Sequence, residues 1–292
     1  MRAQTAVSRF KDLSKERPQR DIGTLLIEAG RLKPEDADKV LRLHAEKGMR
    51  FGEAAIALGL VSEAHVNEAL AHQFEYRYLM PGQSAISREV IAAYEPFTTE
   101  VDELRALRAQ LIQRHFGKTD SKRRLAIVGC DAGGGRSYVA ANLAVVFSQL
   151  GQRTLLVDAD LRDPRQHELF GVSNSAGLST VLASRCDLTV VQRVSGLLDL
   201  SLLTAGPIPP NPAELLERDT FADLTEQMSA NYDVVLFDTA AMDRCIDASP
   251  VAARAGAAII VLRRYRARAK AVQALMSALG GVEILGTVLN SR

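Results

Sequence analysis

Apolar positions along the chain fall into two regimes. From Asp21 to Gln73 they recur at helical spacing and are punctuated by glycine. "DIGTLLIEAGRLKPEDADKVLRLH" (21–44) and "RFGEAAIALGLVSEAHVNEALAHQ" (50–73) superimpose at an offset of 29 residues, with Gly23 on Gly52, Gly30 on Gly59 and Leu41 on Leu70. Each half predicts a short helix ended by a glycine that suits a left-handed cap, then a second helix. Pro34 and Ser62 stand where the second helices begin, as first-turn and N-cap residues. The expected result is a small all-α module of two helix pairs over 20–80. Residues 1–19, polar and charged, are expected to be a flexible tail.

The second regime begins after a connector. "YLMPGQSAISREVIAAYEPFTTE" (78–100) predicts a linking segment with one short helix, and 81–100 is expected to connect the two domains. Apolar residues at 101, 104, 107, 111 and 112 then form a helical stripe, ended by "GKTDSKRR". From Leu125 onward, apolar and β-branched runs of strand length appear: "LAIVG", "RTLLVD", "LLDLSLL", "DVVLFD", "AAIIVLR" and "EILGTVLN". Helical stretches separate most of them. Continuous apolar strands alternating with helices predict a mostly parallel sheet flanked by helices, an α/β domain over 101–292.

Composition narrows the class without deciding the chemistry. Of 292 residues, 47% are hydrophobic and 24% charged, the balance of a soluble globular protein. A net charge of +1 gives no general attraction to nucleic acid, and no nucleic-acid partner is expected. The run "RRYRARAK" (263–270) is locally basic and reads as a solvated helix start. The longest apolar run, "AGAAIIVL" (255–262), is too short to span a bilayer. Cys130, Cys186 and Cys245 have neither paired nor metal-ligand spacing, and there is no signal peptide. Both features fit a reducing cytoplasm.

The chemistry begins at "GCDAGGGRSYVAANLA" (129–144). A strand runs into Gly133, Gly134 and Gly135, and a helix follows at once. Glycines let main-chain N–H groups turn toward phosphate, the helix start adds its positive end, and the Ser137 hydroxyl is placed to reach magnesium. Against G-x-x-x-x-G-K-[ST], Cys130 replaces the first glycine and Arg136 the lysine. Arginine keeps the charge and adds a planar fork, but it is bulkier than an ammonium. Two further strands end in acid: Asp158 and Asp160 in "LLVDADLRDPR" (155–165), and Asp238 in "DVVLFDTAA" (233–241). Carboxylates at the carboxyl ends of parallel strands lie where such sheets bind ligands. Beside a phosphate loop they point to Mg2+ and a nucleoside triphosphate.

Taken in order, "GCDAGGGRSYVAANLA", "LLVDADLRDPRQHELFG" and "VVLFDTAA" resemble the Walker A, A′ and B motifs of bacterial tyrosine kinases, which have a P-loop NTPase fold. "GLST", "LLTAGPIPPNPAELL" and "LGTVLN" resemble further segments of that family, so the likeness covers about 100–290. Within the family it is nearest the short cytoplasmic kind linked to chain-length determinants in exopolysaccharide operons. The resemblance implies ATP and Mg2+ as cofactors. Arg136 and Ser137 would contact the phosphates and metal, with Gly133, Gly134, Gly135 and Tyr138 at the nucleotide. Asp160 and Asp238 would hold the metal, and Asp158 would orient or deprotonate the tyrosine hydroxyl. Arg162 would complete the A′ motif, and Asn290 would contact adenine. Asp102, Arg105 and Arg108 in "DELRALR" would form an oligomer interface. The partner implied is the cytoplasmic segment of a membrane chain-length determinant, which would bring a cytoplasmic protein to the inner membrane face.

The N-terminal repeat resembles the N-terminal domain of type II secretion and pilus ATPases. Some of these bind cyclic di-GMP, and the resemblance places Arg50, Gly52 and Gly59 at such a site. Two departures stand out within the kinase region. There is no tyrosine cluster at the end of the sequence, and the usual "DTPP" is "DTAA". Two functions are therefore weighed: an ATP-dependent protein tyrosine kinase that tunes polysaccharide chain length or export, and an ATP-gated assembly switch without tyrosine phosphorylation.

Overall fold

The computed structural model describes residues 21–73, 78–79, 82, 84–118, 122–243 and 245–291. The tail expected over 1–19 lies outside the described residues. The chain forms two compact units, Met1–Arg77 and Tyr78–Arg292.

The first unit holds α1 (Ile22–Glu28), α2 (Pro34–Lys47), α3 (Phe51–Ala57) and α4 (Glu63–Gln73). The repeat is visible in the backbone: Gly30 and Gly59 take φ of 66° and 67°, each in the turn after the first helix of its pair. It is visible in the core too, where Leu26, Leu32 and Val40 are buried with Ala55, Val61 and Ala69, their equivalents 29 residues on. The buried position in each second helix is thus Val40 or Ala69, and Leu41 is half exposed. Gly52 permits a close helix contact, because a Cβ there would lie 2.7 Å from Val66 Cγ1. The helix starts are capped by different side chains: Asp21 accepts from the Thr24 amide at 2.8 Å, and Glu53 from the Arg50 amide at 3.0 Å.

The second unit opens with α5 (Ile91–Tyr94) and α6 (Thr99–Leu111), which ends in a π-turn at Ile112–Phe116. There follow β1 (Arg124–Val128), α7 (Arg136–Ser148), β2 (Thr154–Asp158), α8 (Gln166–Phe170), α9 (Leu178–Leu182), β3 (Gln192–Arg193) and β4 (Leu200–Leu203). The chain ends with α10 (Pro212–Glu217), α11 (Asp219–Asn231), β5 (Val234–Asp238), α12 (Ala248–Ala255), β6 (Ala257–Arg263), α13 (Ala269–Ala278) and β7 (Glu283–Asn290). The seven strands form one sheet in the order β3-β4-β2-β5-β1-β6-β7. Every pairing is parallel except β3 with β4. The inner strands are buried along their whole length, so both faces must be apolar. Leu125, Ile127 and Leu156 face one cluster with α5, α6 and α7; Ala126, Val128 and Val157 face the other with α11, α12 and α13. Two-residue β3 is too short and too polar to announce itself in a hydrophobic pattern.

The segment expected as a connector is built into this core. Ile86, Val90, Ile91 and Tyr94 are buried. The Ser87 amide donates to Leu169 O at 2.8 Å, and the Tyr94 hydroxyl to Ile86 O at 2.6 Å. Its anchor is Asn142 of α7, fully buried, which accepts from the Ala92 amide at 2.9 Å and donates to Glu89 O at 3.0 Å and Tyr138 O at 2.9 Å. Removing that amide leaves the buried Ala92 donor without a partner, at about 1–3 kcal/mol, and frees the part-buried Glu89 acceptor. Asn142→Ala is therefore expected to cost about 3 kcal/mol, read as a lower urea midpoint with unchanged slope.

Candidate active site

β1 delivers the chain to Gly129, and α7 leaves from Arg136. Between them the turn is held from several directions. The Ala132 amide donates to Asp243 Oδ2 at 3.2 Å, Asn290 Nδ2 to Gly134 O at 3.2 Å, and Arg263 Nη1 to Gly133 O at 3.4 Å. Gly133 and Gly135 take φ of 69° and 93°, and a Cβ on Gly135 would collide with the Asn290 amide. Both glycines are required by backbone conformation, and the second also by space.

Arg136 turns inward. Its stem crosses Gly129, where a Cβ would sit 2.9 Å from Arg136 Cδ, and its guanidinium donates to Thr239 O, just past β5. It is buried, and its Nε makes no hydrogen bond. The charge acts on Asp160 and Asp238, holding both carboxyls lower than burial alone would.

Asp158 and Asp238 are register partners at the ends of β2 and β5, and both are fully buried. Burial, then the charge of Asp238, pushes the Asp158 carboxyl well above the usual carboxylate range. Its Oδ2 accepts from the Arg165 and Gln166 amides at 3.0 and 2.9 Å, and its Oδ1 from the Asp160 amide at 3.3 Å. Asp238 is raised by burial, against the pull of Arg136 and of hydrogen bonds from Gln166 and Ser137. Gln166 Nε2 reaches Asp238 Oδ2 at 2.8 Å and Ser137 O at 3.1 Å. Asp238 Oδ1 is buried with no partner. Asp160, at the rim, accepts from the Arg162 and Asp163 amides at 3.2 and 3.0 Å, and burial lifts its carboxyl.

The structure therefore brings together Gly133 to Ser137, Asp158, Asp160 and Asp238. Among the described residues, no group of three or more His, Cys, Asp or Glu side chains is arranged to hold a metal. A cation here would depend on Ser137, two carboxylates, water and phosphate oxygens, the mixed set Mg2+ prefers. The unpartnered Asp238 Oδ1, on a carboxyl that also interacts with the Ser137 side chain, fits that requirement. Tyr138 and Asn290 line a neighbouring cleft of about 340 Å³ with Glu103, Leu107 and Val288.

Other candidates sit apart. Arg162 makes a two-pronged ion pair with buried Asp247, at 2.7 and 3.1 Å, which joins the A′ loop to the start of α12. On α6, Asp102 pairs with Arg105 at 2.6 Å, whereas Arg108 turns onto α7 and donates to Val146 O. In the first unit, Arg50 is exposed at the start of α3 and Gly59 lies past its far end, with a helix about 10 Å long between them. Gln166, Asp247 and Thr239 were not legible as site residues. Each acts through a partner far along the chain, and a lone polar residue at a helix start or strand end carries no signal of that.

No protein-family model matches the chain. It is 35% identical over 214 residues to the tyrosine-protein kinase YwqD of Bacillus subtilis (strain 168), covering 72% of this chain and 88% of that protein. Among solved structures it resembles the kinase domain of the Escherichia coli tyrosine kinase ETK: TM-score 0.64, 36% identity, 69% of this chain and 79% of that one. It also resembles the chimerical protein CapA2B2, with TM-score 0.65, 30% identity, and 77% and 98% covered. The chain spans 28% of the full-length etk kinase of Escherichia coli (strain K12).

Folding raises the Asp238 pKa above its unfolded value near 3.8, so the ionised group costs folded stability at every pH above that range. Asp238→Asn removes the charge and keeps the shape. In calorimetry without nucleotide at pH 7, the variant is expected to melt higher by about 2–4 °C, the shift ~1 kcal/mol makes in a domain of this size. The gain should shrink as pH falls into the acid range, where the raised wild-type carboxyl protonates before an ordinary one, and the stabilisation given by Mg·ATP should be lost.

Proposed function

The chain belongs to the family of bacterial tyrosine-protein kinases, its second unit has the P-loop NTPase fold, and we propose how its residues carry the γ-phosphoryl group of ATP to a tyrosine hydroxyl. The observation that carries the assignment is the group at the glycine turn: buried Arg136, Asp160 and Asp238 with half-buried Ser137, and Asp238 Oδ1 unpartnered.

The amides of Gly133 to Ser137 and the start of α7 cradle the phosphates. Arg136 supplies a fixed positive charge under the β- and γ-phosphates. Ser137, Asp160 and Asp238 would hold Mg2+, partly through water, and the ion when bound neutralises charge on the transferring group. Tyr138 and Asn290 place the nucleoside toward the cleft they line. Asp158 is assigned to orient the attacking hydroxyl through Oδ1, which accepts only the Asp160 amide at 3.3 Å and keeps a lone pair for a second donor. Arg162 acts by position, fixing the A′ loop through Asp247.

Partners and setting belong to the same proposal. The chain would act with the cytoplasmic segment of a membrane chain-length determinant, at the inner membrane face, and tune exopolysaccharide length or export. Among the described residues no helix is long and apolar enough to cross a membrane. In this proposal the partner brings the chain to the membrane. Self-assembly would use the exposed Asp102–Arg105 side of α6. In the first unit, Arg50 with the glycines at 52 and 59 is the proposed cyclic di-GMP site. Calorimetry on the full chain tests it: no heat at ligand near ~100 micromolar, or the same heat from Arg50→Ala, removes that part. A second reading, ATP-gated assembly without transfer to tyrosine, is favoured by one observation, the engagement of Arg136 with Thr239 O.

Labelled ATP with Mg2+ and a tyrosine copolymer separates the two readings. Wild type is expected to label the copolymer. Asp160→Asn should lower kcat by about 10²–10³-fold, the usual effect of removing one stabiliser of transition-state charge. Arg136→Lys keeps the charge but loses the planar fork pinned to Thr239 O, and should lower kcat by more than about tenfold. ATP turnover with no phosphotyrosine on any acceptor would select the assembly switch.

A further inference from the structure

A tyrosine kinase that modifies its own kind needs a tyrosine that is free to leave its fold. The sequence holds six tyrosines: 76, 78, 94, 138, 232 and 265. Tyr76 lies outside the described residues. Tyr94 is buried with its hydroxyl bonded to Ile86 O. Tyr78 and Tyr138 are half-buried, and Tyr138 packs on the core under α7. Tyr232 is half-buried at the start of β5, the end of the sheet opposite the phosphate loop.

Tyr265 differs in every respect. Its side chain is 90% exposed. It sits in the loop between β6 and α13, and β6 is the parallel neighbour of β1, in register at Val128 and Ile260. The loop therefore emerges at the same edge of the sheet as the glycine turn, and Arg263 at its root donates to Gly133 O. Tyr265 has φ of 63°, an uncommon conformation for an aromatic residue. Its ring lies 4.9 Å from the Arg264 guanidinium carbon. Arg263, Arg264, Arg266 and Arg268 flank it, and no Asp or Glu occurs between Asp247 and Glu283 in sequence.

We propose that Tyr265 is a phosphoacceptor, modified by a second copy of this chain; the proposal rests on the kinase activity argued above. The phenolic oxygen of Tyr265 forms a bond to the γ-phosphorus of ATP held by the other copy. The bond from that phosphorus to the β,γ-bridging oxygen breaks, and ADP leaves with the electron pair. The phenolic proton passes to a carboxylate of the site and then to water. Transfer runs between copies because the ring projects into solvent, stacked on Arg264. The product is favoured where it forms: a phosphate of charge about −2 lands among four arginines, which supply charge-assisted hydrogen bonds. The arginine-rich loop that reads as a solvated helix start thus becomes a seat for phosphotyrosine.

The test uses the full chain, Mg·ATP and mass spectrometry after cleavage at acidic residues, since trypsin would reduce the site to a dipeptide. Phosphate is expected on Tyr265. Tyr265→Phe should lose more than about four-fifths of the chain's phosphotyrosine, yet still label a tyrosine copolymer within twofold of wild type. Mixed with Asp238→Asn chains, which cannot act as donors, the Tyr265→Phe protein should label Tyr265 of the inactive copy. Labelling of another tyrosine with Tyr265 unmodified overturns the proposal. So does labelling of the copolymer alone, which leaves the kinase activity standing. Absence of transfer to any acceptor overturns both.

Discussion

Two carboxylates that repel one another set the terms for the rest of the second unit. Asp158 and Asp238 end adjacent parallel strands in register, fully buried, with Asp160 two residues on. Burial and mutual charge both favour the protonated form, and neither would persist without compensation. The compensation is local and specific: three main-chain amides on Asp158, Gln166 and Ser137 on Asp238, and the charge of Arg136. It is also incomplete, because one oxygen of Asp238 and one of Gln166 stay unpaired. Such a site is better matched to a cation and phosphates than to itself, which is the physical content of calling it a nucleotide site.

Holding this arrangement requires stiff supports, and the core supplies them. α7 is buried over almost all its length, so the loop before it has little freedom to shift. Asn142 ties α7 to the segment before α5, and Arg108 ties it to α6. The Arg162–Asp247 pair joins the A′ loop to α12 and so ties the loops after β2 and β5 to each other. Side chains far from the phosphates thus determine where Asp160 can sit. A site made of repelling groups keeps its geometry only when its walls do not yield.

What could be read from the sequence was what depends on neighbours along the chain. Continuous apolar runs marked every strand longer than two residues, and the glycine turn, Ser137 and the strand-end carboxylates followed from local pattern. The 29-residue repeat was equally plain, although the paired leucines pointed one position away from the buried Val40 and Ala69. What could not be read depends on partners distant in sequence. Gln166 bonds to Asp238, 72 residues on, and Arg162 to Asp247, 85 residues on. The segment read as a connector is core because groups far along the chain satisfy its backbone, Asn142 50 residues away at Ala92 and Leu169 at Ser87. Arg108 falls on a stripe that looks solvated, and its inward turn is set by a carbonyl on another helix.

Arginine in place of lysine at 136 takes its meaning from the same distances. The side chain must begin at the first residue of α7, pass over Gly129 and reach the carbonyl beyond β5. A planar guanidinium spans that path and spends one donor on Thr239, leaving others on the same rigid fork. A lysine has one compact head, so a bond to Thr239 O would orient its whole charge there. With arginine, the group that neutralises Asp160 and Asp238 can be pinned to the end of β5 and still present N–H groups to phosphate. The requirement at this position is then a charge of fixed place, and Gly129 is what makes room for it: any side chain there would meet Val261 O at 2.7 Å and the Arg136 stem at 2.9 Å. The replacement of lysine and the glycine seven residues before it are one device.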